Sequence, residues 1–182
     1  MIATPYGETS EQVIKHAQAI KLLICDVDGV FSDGRIYMGN QGEELKAFHT
    51  RDGFGIKALI NVGIEIAVIT GRNSKIVEQR MGALGVQHIY QGQSDKTLAF
   101  AELLERLSLS AEQCAYIGDD VIDTPVMTPC GLGVATGDAH PLCKQAADYV
   151  TFTPGGYGAV REVCDLILQA RGELEQAQGM SV

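Results

Sequence analysis

Two aspartates one residue apart, Asp26 and Asp28, close a short apolar run, Leu22–Cys25, and are followed at once by Gly29. The run reads as a buried strand. In extended backbone, residues i and i+2 project to the same side, so both acids can face one point beyond the strand end. Paired carboxylates repel unless a cation, usually Mg²⁺, lies between them or one keeps its proton. Three later positions carry groups suited to the same task. Thr70 offers a hydroxyl ahead of Gly71 and Arg72, where a helix is expected to begin and present backbone N–H groups to an anion. Lys96 stands at another expected helix start, where its charge opposes the helix dipole unless an anion is near. Asp119 and Asp120 follow Gly118, with Asp123 one turn on. Taken singly, these are also an Asx turn, a cap, a solvated lysine and an N-cap cluster. Their joint placement at four strand ends points to phosphoryl-transfer chemistry.

The elements that must hold them alternate. A helix from about residue 10 to 19, capped by Thr9 or Ser10, precedes the first strand, and residues 1–8 read as a loose tail. Two short runs around Gly39–Gly42, within 34–48, predict a β-hairpin. Its exposed apolar residues (Ile36, Tyr37, Met38, Leu45, Phe48) imply packing against another subunit, since an isolated hairpin is marginal in water. His49 to Gly55 reads as a loop before a helix over 56–61. Strands are expected at 65–69, 88–90, 114–117, 132–135 and 149–151, with helices from Ser74, Lys96, Pro141 and after Gly158. Strands alternating with helices imply βαβ units, hence a three-layer α/β fold around a mainly parallel sheet. The polar residues after Gly172 read as a flexible tail, and the 182 residues as one domain.

Composition narrows the partners. The net charge of −9 argues against a nucleic-acid or anionic-membrane surface, so an anionic substrate must be met by local Lys and Arg and by a metal. The 5 cysteines (25, 114, 130, 143 and 164) are odd in number and lack metal-ligand spacing. Buried, reduced thiols and a cytoplasmic location are expected, with no signal peptide and no membrane span.

Asp26-x-Asp28-Gly, Thr70-Gly-Arg, Lys96 and Gly118-Asp-Asp-x-x-Asp123 resemble the four motifs of the haloacid dehalogenase-like hydrolases. The segments Arg51-Asp-Gly-Phe-Gly, Gly118 to Met127 and Gly155 to Glu162 are similar to a capless subclass of that superfamily, which carries a hairpin insert and forms tetramers. The resemblance implies Asp26 as nucleophile forming an aspartyl-phosphate, and Asp28 as acid and base whose backbone carbonyl ligates Mg²⁺. The carboxylates of Asp26 and Asp119 would complete the protein's metal ligands. Thr70 and Lys96 would hold phosphate oxygens, and Asp120 and Asp123 would orient Lys96 and metal-bound water from behind. It further implies that His49, Thr50, Arg51, Asp52, Gly53, Lys57, Gly71, Arg72 and Arg80 grip the substrate. A solvated or i,i+4-paired role for Arg80 stays open. The implied substrate is 3-deoxy-D-manno-octulosonate 8-phosphate, an acidic sugar phosphate of lipopolysaccharide biosynthesis. A nine-carbon ulosonic acid 9-phosphate, or a catalytically silent scaffold, stays as an alternative. One departure is Tyr157, which stands where the resemblance implies a basic residue.

Overall fold

The computed structural model describes residues 1–177. In chain order its elements are β1 (Ile2–Thr4), β2 (Gly7–Thr9), α1 (Glu11–Gln18), β3 (Leu22–Cys25), β4 (Tyr37–Met38), β5 (Glu44–Leu45), α2 (Thr50–Asn61), β6 (Glu65–Ile69), α3 (Lys75–Leu84), β7 (His88–Tyr90), α4 (Lys96–Leu107), β8 (Cys114–Gly118), α5 (Thr124–Met127), β9 (Leu132–Ala135), α6 (Pro141–Ala146), β10 (Tyr149–Val150) and α7 (Ala159–Ala170). Six strands form one parallel sheet in the order β10-β9-β8-β3-β6-β7.

β3 explains the layering. All four of its residues are buried, because the sheet is covered on both faces. Leu23 and Cys25 join a core shared with α1, α2, α3 and α7, whereas Leu22 and Ile24 join one shared with α4, α5 and α6. Each fully buried Leu or Ile contributes about 1.5–3 kcal/mol relative to exposure. β3 also lies between β6 and β8, so the chain leaves it to one side first and to the other later. Open α/β sheets bind ligands outside the carboxyl ends of strands at such a switch point.

The insert between β3 and α2 is the expected hairpin, with Tyr37 paired to Leu45 and Met38 to Glu44. Among the described residues there is no cap domain over the sheet. Ile36, Tyr37, Met38 and Leu45 are exposed, but Phe48 is half-buried against the main core and does not belong with them.

Three expectations need correction. Residues 2–9 are not a tail but the antiparallel pair β1–β2. Thr4 Oγ1 closes its turn by donating to the Gly7 carbonyl at 2.8 Å, and the Tyr6 hydroxyl anchors it by donating to Asp165 at 2.7 Å. The helix expected from Ile56 begins at Thr50 instead, with His49 Nδ1 accepting from the Arg51 amide at 3.1 Å. Its first turns contain Gly53 and Gly55, weak helix formers, because neighbours need the space. A Cβ at Gly53 would lie 2.6 Å from the Arg80 guanidinium, and one at Gly55 would lie 3.0 Å from Cys164. Third, the chain past Gly172 still forms a 3₁₀ turn at Leu174–Gln176, with Leu174 packed on the core. The remainder of the expected tail, 178–182, lies outside the described residues.

All five cysteines are buried and unpaired. Among the described residues, no helix is long and apolar enough to cross a membrane.

Candidate active site

Register brings the predicted groups together. Cys25 pairs with Val68 of β6 and with Ile117 of β8, so Asp26, Thr70 and Asp119 all emerge at one edge of adjacent strands. Asp26 is pinned by its amide, which donates to the Ile117 carbonyl at 3.1 Å. Lys96, the first residue of α4, extends its ammonium to 3.0 Å from Asp26 Oδ1 and 2.7 Å from Asp123 Oδ1. All three side chains are buried.

Asp26, Asp119 and Asp123 each place a carboxylate oxygen within 4.8 Å of the others. Burial first, then the charge of Asp123, pushes the Asp26 carboxyl up to about 6, against the opposing pull of Lys96. Burial and three neighbouring aspartates push Asp119 up to about 8. Lys96 is held above the ordinary lysine value, since Asp26 and Asp123 outweigh the burial that would lower it. The cluster thus carries more negative charge than one lysine balances, and its oxygen donors suit a hard cation such as Mg²⁺.

Asp123 is not free to join such a cation. Its Oδ1 accepts from Lys96 and from the Tyr116 hydroxyl at 2.6 Å. Its Oδ2 accepts the amides of Asp119 at 3.0 Å and Asp120 at 3.1 Å. Both oxygens are used in shaping the loop and aiming the lysine, which leaves Asp26 and Asp119 as the carboxylates open to metal. The carboxylate fits under Gly118, where a Cβ would come within 2.5 Å of Asp123. Asp120 is exposed, and its side chain caps Val121 at 2.7 Å.

Thr70 is buried, its amide donating to Tyr90 at 2.9 Å and its carbonyl accepting from Gln93 at 3.0 Å. The helix expected from Ser74 has that residue as its N-cap and runs from Lys75, so Gly71 and Arg72 lie in an exposed bend ahead of it. Their amides therefore lie ahead of the first helical turn.

The Asp28 carboxylate turns toward the hairpin. Its Oδ1 accepts from Lys46 Nζ, which also lies 3.1 Å from Glu44. Glu44 in turn accepts from Arg72 Nη2 at 2.8 Å, and Arg72 Nε lies 4.0 Å from Asp28 Oδ2. Neither Glu44 nor Lys46 was singled out from sequence, and neither was Tyr116. The Glu-x-Lys alternation places two opposite charges on one strand face, which was the available signal. For Tyr116 it was a hydroxyl inside a buried strand, which needs a partner.

The expected substrate loop divides. His49 caps α2, and Thr50 and Arg51 are exposed at its start. Asp52 and Gly53 face inward. Asp52 Oδ1 accepts from the Arg161 amide at 2.8 Å, its Oδ2 is buried with no hydrogen-bond partner among the described residues, and burial pushes the carboxyl up to about 7. Asp52 thus joins α2 to α7 and does not line the site. Arg80 packs across Gly53 beside it. Lys57 is half-buried about 10 Å along α2 from Thr50, carried away from the strand ends. Tyr157 is 53% exposed.

A family model for haloacid dehalogenase-like hydrolase matches residues 84–160. The chain is 59% identical over 181 residues to the 3-deoxy-D-manno-octulosonate 8-phosphate phosphatase KdsC of Escherichia coli K12, covering 100% of this chain and 96% of that one. A crystal structure of the Yersinia pestis phosphatase superposes with a TM-score of 0.98 at 60% identity, covering 100% and 98% of the two chains. A Moraxella catarrhalis phosphatase of the same name, in complex with a magnesium ion, a phosphate ion and a KDO molecule, superposes with a TM-score of 0.90 at 42% identity, covering 92% and 97%. The strand-end carboxylates, the lysine at the start of α4 and this full-length similarity agree: the chain belongs to the 3-deoxy-D-manno-octulosonate 8-phosphate phosphatase family of the haloacid dehalogenase-like hydrolases.

Proposed function

We propose that the chain, as one phosphatase unit with its hairpin insert over 34–48, hydrolyses 3-deoxy-D-manno-octulosonate 8-phosphate to the free sugar acid and phosphate, with Mg²⁺. The observation that carries this reading is Asp26, buried, paired to Lys96 and crowded by Asp119. A nucleophilic carboxylate flanked by a cation and a metal-ready carboxylate has the parts that phosphoryl transfer needs.

In the first half-reaction an Asp26 oxygen bonds to phosphorus while the bond from phosphorus to the sugar oxygen breaks. Asp28 delivers its proton to the departing alkoxide. In the second, Asp28 takes a proton from water, whose oxygen attacks the aspartyl-phosphate and frees Asp26 and inorganic phosphate. The Thr70 hydroxyl, the Gly71 amide and Lys96 hold the phosphate oxygens, and Lys96 offsets the charge that develops on them. Asp26, Asp119 and the Asp28 carbonyl would hold Mg²⁺, which when bound neutralises oxygens of the transferred group. Asp123 positions Lys96, and Asp120 caps the loop it shapes.

The sugar acid adds a carboxylate to the phosphate, and Arg72 with Arg51 supplies exposed guanidinium groups that match it. His49, Thr50 and Arg80 border the same helix start, and Lys57 lies further along it. The exposed apolar hairpin residues fit a homotetramer in which copies cover one another's hairpins. The net charge and unpaired cysteines fit a cytoplasmic enzyme of lipopolysaccharide precursor synthesis.

Phosphate release from the eight-carbon substrate and from a nine-carbon ulosonic acid 9-phosphate, with Mg²⁺ and with chelator, tests the reading. Mg²⁺-dependent turnover favouring the eight-carbon substrate is expected. Preference for the longer sugar would keep the chemistry and replace the substrate. Folded protein that turns over neither would leave a silent scaffold.

A further inference from the structure

Asp28, Lys46, Glu44 and Arg72 close a ring of alternating charge that joins three separate segments: the loop after β3, the hairpin and the bend after β6. Lys46 is its most buried member. Its side chain has 0% exposure, compared with 21% for Asp28, 25% for Glu44 and 46% for Arg72. Taking an ammonium out of water is costly unless partners compensate, and here two carboxylates do. Arg72 is outside hydrogen-bond length of Asp28, so Lys46 alone among these cations grips that carboxylate directly.

We propose that Lys46 is a positioning residue for Asp28: the hairpin holds the catalytic carboxylate by Oδ1 and leaves Oδ2 for proton exchange with the leaving oxygen and water. The assignment rests on the acid–base role given to Asp28 above. It makes the hairpin part of the catalytic apparatus in every subunit, whatever surface it also offers to a second copy. Each strand of the hairpin has only two residues, too short to be stable alone. Glu44 and Lys46, two residues apart, share one face and make that face the docked one. Glu44 restrains Lys46 and Arg72 together, and so keeps the four charges balanced in pairs.

The test compares leaving groups, because a proton donor matters only where the departing oxygen is basic. A sugar alkoxide needs protonation; p-nitrophenolate does not. Single-turnover release of each leaving group, with Mg²⁺, isolates the first half-reaction. Lys46→Met should slow sugar release by at least about tenfold, a part of the roughly 10²–10⁴-fold that general acid catalysis contributes, and leave nitrophenolate release nearly unchanged. Lys46→Arg should restore most of the sugar rate. Glu44→Gln, which loosens the hairpin but spares the Lys46–Asp28 contact, should slow sugar release less than Lys46→Met. Equal slowing of both leaving groups by Lys46→Met, or of neither, would overturn the assignment. So would a Glu44→Gln effect as large, since hairpin docking alone would then explain it. Wild-type protein that releases neither leaving group would overturn the phosphatase reading itself, and this assignment with it.

Discussion

The ammonium of Lys96 lies 3.0 Å from the carboxylate of Asp26, although the two come from different strand ends. Lys96 opens α4 and Asp26 follows β3, so the contact exists only because β3 lies centrally and α4 covers the face toward which it points. The contact gives Lys96 two tasks. It stabilises the carboxylate in its buried site, and on the phosphatase reading proposed above it would also hold oxygens of the transferred phosphoryl group.

Replacing the ammonium separates the two tasks. Lys96→Met should leave Asp26 and Asp123 facing each other unscreened, and kcat should fall by about 10²–10³, the loss typical of one electrostatic stabiliser. Steady-state kinetics with circular dichroism as the folding control measures this. An unchanged kcat would remove Lys96 from the phosphate site.

Gly29 tests the geometry from the other side. Its φ is +88°, and a Cβ there would lie 2.0 Å from Asp119 Oδ2. Gly29→Ala should therefore displace Asp119, weakening Mg²⁺ binding by at least about tenfold, as lesser disturbances of metal-site geometry do. Titration of Mg²⁺ by calorimetry gives the number directly.

Asp123→Asn keeps one acceptor oxygen and replaces the other with an amide nitrogen. An NH₂ group cannot accept the Asp119 and Asp120 amides, so either that loop or the contact to Lys96 is lost. The expected cost is about 10- to 100-fold in activity. Asp120→Asn, whose side chain is an exposed cap, should cost far less. Equal losses at the two positions would contradict the separate roles drawn for them.

Stability in chelator should fall as pH rises. Asp26, Asp52 and Asp119 have folded values raised to about 6, 7 and 8, above the ordinary carboxylate value. The folded state therefore holds protons that the unfolded chain has lost, and stability decreases through that window. Thermal unfolding should show a lower Tm at about pH 8 than at about pH 5. Mg²⁺ should restore more stability at the higher pH, where Asp26 and Asp119 are ionised for it. Asp52→Asn should flatten the slope that remains with Mg²⁺ present, because Asp52 is not among the carboxylates clustered for the cation.

Much of the candidate site is legible because Asp26, Thr70 and Asp119 follow short apolar runs at turn signals, while Lys96 opens a helix marked by its Asp95 cap. The bounds of β3, β6, β7 and α4 follow from apolar runs and caps that tertiary packing does not override. What escaped depends on distant partners. The β1–β2 pair is anchored by Tyr6 on Asp165, 159 residues away, and no local pattern announces that bond. The first turn of α2 reads as a loop in the sequence because Gly53 and Gly55 disfavour helix, and only Arg80 and Cys164 show why glycine stands there. Lys46 does not stand out in the sequence because a hairpin's residues encode pairing but not the surface on which the hairpin lands.

The most direct measurement is to quench the enzyme with acid during turnover of 3-deoxy-D-manno-octulosonate 8-phosphate and locate phosphoryl adducts by peptide mass spectrometry. The account predicts an adduct on the peptide containing Asp26, absent from Asp26→Asn and absent when Mg²⁺ is chelated. Phosphate release with an adduct on a different residue, or full turnover by Asp26→Asn, would contradict it.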